Sequence, residues 1–181
     1  MTSHADHTHP PTADVSVRPS LVDDAAEIGR IQVAAWRGVH RGTVPDEVLE
    51  GLDAATFARA WRGAISQPPS AKHRMLTACA GPFVVGFAAL APASDAEATG
   101  EIVELDVDPD HLREGHASRL LAACVDILRE TGASQVRTWV LKGDGAREAF
   151  LASAGLGPAG VRRTLEVDGT QVDELAWTGT L

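Results

Sequence analysis

The segment from Glu101 to Leu141 constrains the fold more than any other part of this chain. Glu101-Ile102-Val103-Glu104-Leu105-Asp106-Val107 reads as a strand and is broken by Pro109. A helix is expected from about Arg113 to Glu130, because Ala117, Leu120, Leu121, Cys124, Val125 and Leu128 recur at 3.6-residue spacing. Thr131-Gly132 ends it, and Gln135 to Leu141 is a second strand. A strand that returns to its sheet through a helix pairs in parallel with its predecessor, so this unit alone demands a mixed α/β domain.

The flanking sequence supplies the rest. Val15 to Pro19 alternates and reads as a short strand. Asp23 and Asp24 offer an N-cap, with Glu27 placed as in a capping box. Ile28, Ile31, Ala35, Trp36 and Val39 then follow at helical spacing. Pro45 opens a second helical piece. Asp53 caps a third, in which Phe57, Trp61, Ala64 and Ile65 form a stripe. Arg74 to Ala80 and Phe83 to Ala91 are apolar runs joined at Gly81-Pro82, as in a hairpin. Ala146 to Ala154 reads as a short helix, and Val161 to Val167 with Thr170 to Trp177 as a hairpin whose Asp168-Gly169 turn suits type I′. The expectation is one α/β domain with a mixed sheet of about seven strands and four to five helices.

With 181 residues, one domain is the natural size. Residues 1–14 carry His4, His7 and His9 but almost nothing apolar, so they are expected to be a disordered tail preceding a domain at 15–181. No cysteine or further ligand lies near those histidines in sequence, and no metal is expected. A net charge of −9 argues against a nucleic-acid binder, which needs basic excess. No apolar run approaches the roughly 20 residues of a membrane span. Two cysteines are too few for a disulfide scaffold, which fits a cytoplasmic, reduced protein. The chain has no tyrosine, which excludes any mechanism that needs a phenol.

The chemistry points to the turn after Val107. Gly115 and Ala117 let a ligand approach the backbone, and the first helical turn presents free N–H groups and the positive end of the helix dipole. Together they form an anion site suited to a pyrophosphate, to which Arg113 adds charge. The spacing fits neither a Walker loop nor a dinucleotide fingerprint.

Here the sequence resembles the GNAT family, the Gcn5-related N-acetyltransferases. Their acetyl-CoA motif, Arg/Gln-x-x-Gly-x-Gly/Ala after a strand ending Val-x-Pro, falls on Leu112-Arg113-Glu114-Gly115-His116-Ala117 behind Val107-x-Pro109. The first motif position is Leu112, and Arg113 comes one residue late. Asp23-Asp24, Ala34-Ala35-Trp36-Arg37, Arg41-Gly42 and Pro45 look like the start of many small members. Asp144, Phe150, Leu151, Gly155 and Leu156 look like their later segment. The resemblance implies an opening between the strands ending at Val107 and Leu141. It implies acetyl-CoA as co-substrate, its pantetheine arm paired near Leu105 to Val107, its pyrophosphate over Arg113, Glu114, Gly115, His116, Ala117 and Ser118, and Asp144 and Phe150 beside it. It also implies a primary amine of a small molecule or peptide as acceptor, which the acidic charge mildly favours if that acceptor is cationic. Homodimers are common among similar proteins.

Acetyl transfer needs a base for the amine and is helped by an acid for the thiolate. Many relatives place a tyrosine acid where this chain has Leu151. Glu101 and Glu104 are the candidate bases. Their separation of three puts them on opposite faces of a regular strand, and a bulge would change that. Asp106 is a third choice. His40, after the first helix, is a candidate base or substrate contact. Trp36 is a core residue or a pocket wall. His111 and His116 flank the phosphate turn and are expected at CoA phosphates or in solvent. A non-catalytic acyl-CoA-binding or regulatory module is the alternative to an N-acetyltransferase acting by direct attack in a ternary complex.

Overall fold

The computed structural model describes residues 15–167 and 169–181. The tail histidines and Asp168 of the expected turn lie outside these residues. Seven strands form one sheet: β1 (Val15–Pro19), β2 (Arg74–Ala80), β3 (Phe83–Pro92), β4 (Thr99–Val107), β5 (Gln135–Leu141), β6 (Gly157–Val167) and β7 (Thr170–Thr180). Their order is β1-β2-β3-β4-β5-β7-β6. The five α-helices of the described residues are α1 (Ala25–Val39), α2 (Asp46–Gly51), α3 (Ala54–Ser66), α4 (His116–Glu130) and α5 (Gly145–Ser153). No helix among the described residues is long and apolar enough to cross a membrane.

The expected β4–α4–β5 unit is present and contributes the parallel strand pair, the other neighbours being antiparallel. α4 buries Leu120, Leu121, Cys124 and Leu128 against Val85, Ala88, Ile102 and Leu105 of the sheet. Burial pushes the Cys124 thiol up to about 12, so it is inert packing. On the other face, Ile28 and Ile31 of α1 enclose Phe87 with Trp61 and Ile65 of α3. α2 packs Val48 and Leu49 against Leu141 and Val172.

Three local expectations are corrected. α4 begins at His116 instead of Arg113, because Arg113 and Gly115 both take positive φ (66° and 83°) and bend the chain before the helix starts. Asp24 forms no capping box with Glu27. Its carboxylate accepts a bidentate pair from Arg18 (2.6 and 2.9 Å) and the Leu21 N–H (2.7 Å), while Glu27 pairs with Arg30. Finally, β6 begins at Gly157, well before Val161.

The two helices of the α1–α3 layer meet at Gly29, where an added Cβ would lie 2.5 Å from the Ala54 carbonyl oxygen and 2.7 Å from the Ala58 nitrogen. Both atoms are backbone, so relief requires moving a helix. Gly29→Ala is expected to destabilise the fold by about 1–3 kcal/mol despite alanine's better helix propensity. Urea denaturation measures this, and a neutral or stabilising result would contradict the close approach.

Candidate functional site

The site follows from the way β4 leaves its neighbours. β4 and β5 pair in register only from Thr99–Gln135 to Ile102–Thr138, and no pairing continues toward Val107 and Leu141. On the other side, Glu104 pairs with Ala89 and Ile102 with Leu90, so Val103 is an extra residue in β4. This bulge reverses the alternation of side chains. Ile102 and Leu105 therefore enter the same α4-side core, and Glu101 and Glu104 share the opposite face. The regular-strand expectation of opposite faces for Glu101 and Glu104 is corrected by this one residue.

A cleft occupies the opening, lined among others by Trp36, His40, Glu104, Leu105, Asp144 and Arg147. Glu104 accepts a hydrogen bond from Gln32 Nε2 (3.1 Å), and Gln32 Oε1 in turn accepts one from Trp61 Nε1 (2.6 Å). A relay from α3 through α1 thus fixes the carboxylate. Desolvation, and then the charge of Asp106, raise the Glu104 carboxyl well above its ordinary range. Asp106 is 4% exposed and is also raised by burial, with Arg147 opposing the shift. Arg147 of α5 reaches across the opening, donating from Nη1 to the Leu105 carbonyl (2.6 Å) and from Nη2 to Asp106 Oδ1 (2.8 Å).

His40 caps the end of α1 and is 7% exposed, with Trp36 set edge-on at 5.0 Å. Burial lowers its imidazole pKa, Asp144 opposing, so the ring is neutral near pH 7; its Nδ1 has no hydrogen-bond partner among the described residues. Asp144 caps α5 by accepting the Arg147 N–H (3.0 Å).

Glu101 does not line this cleft. Arg137 donates to Glu101 Oε2 from Nε (2.9 Å) and Nη2 (2.7 Å), and holds Asp95 as well. Val107 is a core residue at the strand end, and Phe150 and Ala117 pack partly buried against the same core. Leu151 is 3% exposed and belongs to that core too. Gln32 and Arg147 are not among the site residues expected from sequence. Gln32 had a signal, as a polar residue within the Ile28–Ile31–Ala35 spacing, whereas nothing local marks Arg147.

The turn before α4 forms the second half of the site. Asp108 accepts the Asp110 N–H (3.0 Å) and pairs with Arg30 of α1, which ties the strand end to the helix layer. Gly115 is the N-cap in the left-handed region, and no side chain caps the helix there. The N–H groups of the first turn are therefore free for an anion. An added Cβ at Gly115 would lie 2.9 Å from Arg119 Nη1, which donates to the Glu114 carbonyl (3.0 Å), so a guanidinium stands over this turn. These features fit a pyrophosphate. Arg113, Glu114 and Ser118 are exposed beside it. His116 is 2% exposed, which corrects the expectation that its ring would lie at phosphates or in solvent; its Nε2 meets Glu114 Oε2 at 3.2 Å.

A parallel pair that separates toward its strand ends, followed by an uncapped helix start, sets the class: a mixed α/β domain with a cleft between β4 and β5. The sequence profile of the Acetyltransferase (GNAT) family matches residues 36–156, and the chain belongs to that family. A curated relative is the uncharacterized N-acetyltransferase YuaI of Bacillus subtilis (strain 168), 26% identical over 130 residues, covering 71% of this chain and 72% of that protein. Among solved structures, the PaiA N-acetyltransferase of Thermoplasma acidophilum in complex with coenzyme A superposes with a TM-score of 0.74 at 16% identity, covering 93% of this chain and 99% of that one. A GCN5-related N-acetyltransferase of Rhodopseudomonas palustris gives 0.73 at 24% identity, covering 96% and 99%. These structures share the fold.

Proposed function

We propose that this chain transfers an acetyl group from acetyl-CoA to a primary amine of a small molecule or peptide, by direct attack in a ternary complex. The observation that carries the reading is Glu104: a carboxylate with a raised pKa, held by Gln32, facing the opening of β4 and β5. Acetyl-CoA supplies an activated thioester; the chain supplies position and proton handling. Glu104 takes the ammonium proton, directly or through a water, as a base poised nearer neutrality than an ordinary carboxylate. The neutral His40 and the edge of Trp36 bound the acceptor side. Val103, passed over by both strand registers, is where a backbone donor for the thioester oxygen is expected. The thiolate leaves without a phenol, which its free thiol pKa of about 8.5 permits. Pairing of the pantetheine arm at Leu105 requires Arg147 to release that carbonyl.

The apolar Leu151, and Leu112 at the first motif position, favour the second reading of a non-catalytic acyl-CoA-binding or regulatory module. Thiol release over a panel of amines decides: turnover with any amine supports the transferase, and acetyl-CoA binding without turnover supports the module. Gly115→Asp is expected to weaken acetyl-CoA by roughly tenfold or more, because it sets a side chain and a negative charge against the helix start. Unchanged affinity by calorimetry, in a variant with unaltered secondary structure, would contradict the phosphate site.

A further inference from the structure

We infer that the turn before α4 holds a mononuclear site for a divalent transition metal, zinc being the type case, ligated by His111 Nδ1, the Glu114 carboxylate and His116 Nε2. The three ligand atoms lie within 4.8 Å of one another. Glu114 Oε2 is 3.1 Å from His111 Nδ1 and 3.2 Å from His116 Nε2. A tetrahedral ion with bonds of about 2.0–2.1 Å separates its ligands by about 3.3 Å, so these two contacts, hydrogen bonds here, need open only slightly to admit a shared ion. Two imidazoles and one carboxylate are a borderline donor set that suits zinc and its neighbours over calcium or magnesium. Three protein ligands leave a fourth position open. The left-handed backbone at Arg113 and Gly115 folds six residues so that His111 and His116 converge on Glu114. The buried His116 ring stands edge-on to that of His111, 6.2 Å between centroids.

The site bears on acyl-CoA binding, and this consequence rests on the proposed function. Without a metal, Glu114 places a negative charge one residue before Gly115, against an incoming pyrophosphate. A dication on the same carboxylate reverses the sign at the helix start. Metal and acetyl-CoA are therefore expected to strengthen each other's binding, by the reciprocity of linked equilibria.

The test uses the full chain with His4, His7 and His9 replaced by Asn, so that the tail does not chelate. Cobalt(II) titration is expected to give the visible bands of a four-coordinate ion at one equivalent, displaced by zinc. His111→Ala and Glu114→Gln should each remove them. Both side chains are more than a third exposed, so the fold is retained, as circular dichroism will show. Absence of the bands, or bands that survive both substitutions, overturns the site. Acetyl-CoA calorimetry with and without zinc then reads the coupling: tighter binding with zinc supports it, and equal or weaker binding overturns it. An absence of acetyl-CoA binding in both conditions counts against the proposed function, while the cobalt result still stands on its own.

Discussion

Glu104→Gln is expected to lower turnover by about 10²–10⁴-fold while leaving acetyl-CoA affinity essentially unchanged. The substitution keeps the shape of the side chain and a carbonyl oxygen for the Gln32 N–H, so the Trp61–Gln32 relay can persist. It removes the only feature that the amine needs, a group able to take its proton. The pH profile makes the test specific. Burial and Asp106 raise the Glu104 carboxyl, so in the unmodified protein the rate should climb as pH rises through that elevated value, where the base form appears. In the Gln variant this limb should vanish, leaving only the ionisation of the amine itself. Measuring kcat and KM across pH by thiol release separates this from a structural effect, which would raise KM without reshaping the profile. A rate within a few-fold of the unmodified protein would move the base to His40 or to water. Glu101→Gln is the control, because its partner is Arg137 and it stands away from the cleft lining.

The contrast between these two glutamates shows how far the sequence can be read. The strand–turn–helix–strand unit is legible because its signals are local: Pro109 breaks a strand, Gly115 permits a left-handed residue, and a 3.6-residue apolar stripe follows. β2 and β5 fall on the expected residues for the same reason. The left-handed turn before α4 is legible through its glycine. Which glutamate faces the cleft is not. That is decided by Val103, whose extra place in β4 becomes visible only in the register against β3. Arg147 is likewise silent in sequence. It lies on a short helix three residues after Asp144, and its partners Leu105 and Asp106 are some forty residues away, brought near by the splay of two strands. Composition contributes one sharp constraint, the missing tyrosine. The structure adds that Leu151, the position at which the resemblance leads one to expect that phenol, is core packing.

Arg147→Met is expected to destabilise the protein by about 3–5 kcal/mol near and above neutral pH, the usual consequence of leaving a buried charge without its partner. The Arg147 side chain is 23% exposed and that of Asp106 4%, so little solvent replaces the lost ion pair. Asp106 Oδ2 already lacks a partner among the described residues, and the Leu105 carbonyl would lose its donor as well. Methionine fills much of the same volume, so the loss is electrostatic and not a cavity effect. The pH dependence follows from the direction of the carboxyl shifts. Asp106 and Glu104 are raised in the folded protein by burial, and Arg147 is what holds them down. Removing it raises them further. The folded variant then holds protons more strongly than the unfolded chain, so its stability is fully present below the ordinary carboxyl range and is lost as pH rises through the raised values. Urea denaturation at about pH 5 and about pH 8 should therefore show a deficit that grows with pH. An equal deficit at both would mean that Arg147 acts by packing, and no deficit would mean that Asp106 is not desolvated. Arg147→Lys should recover only part of the loss, since a single ammonium lacks the planar fork that donates to Leu105 and Asp106 together.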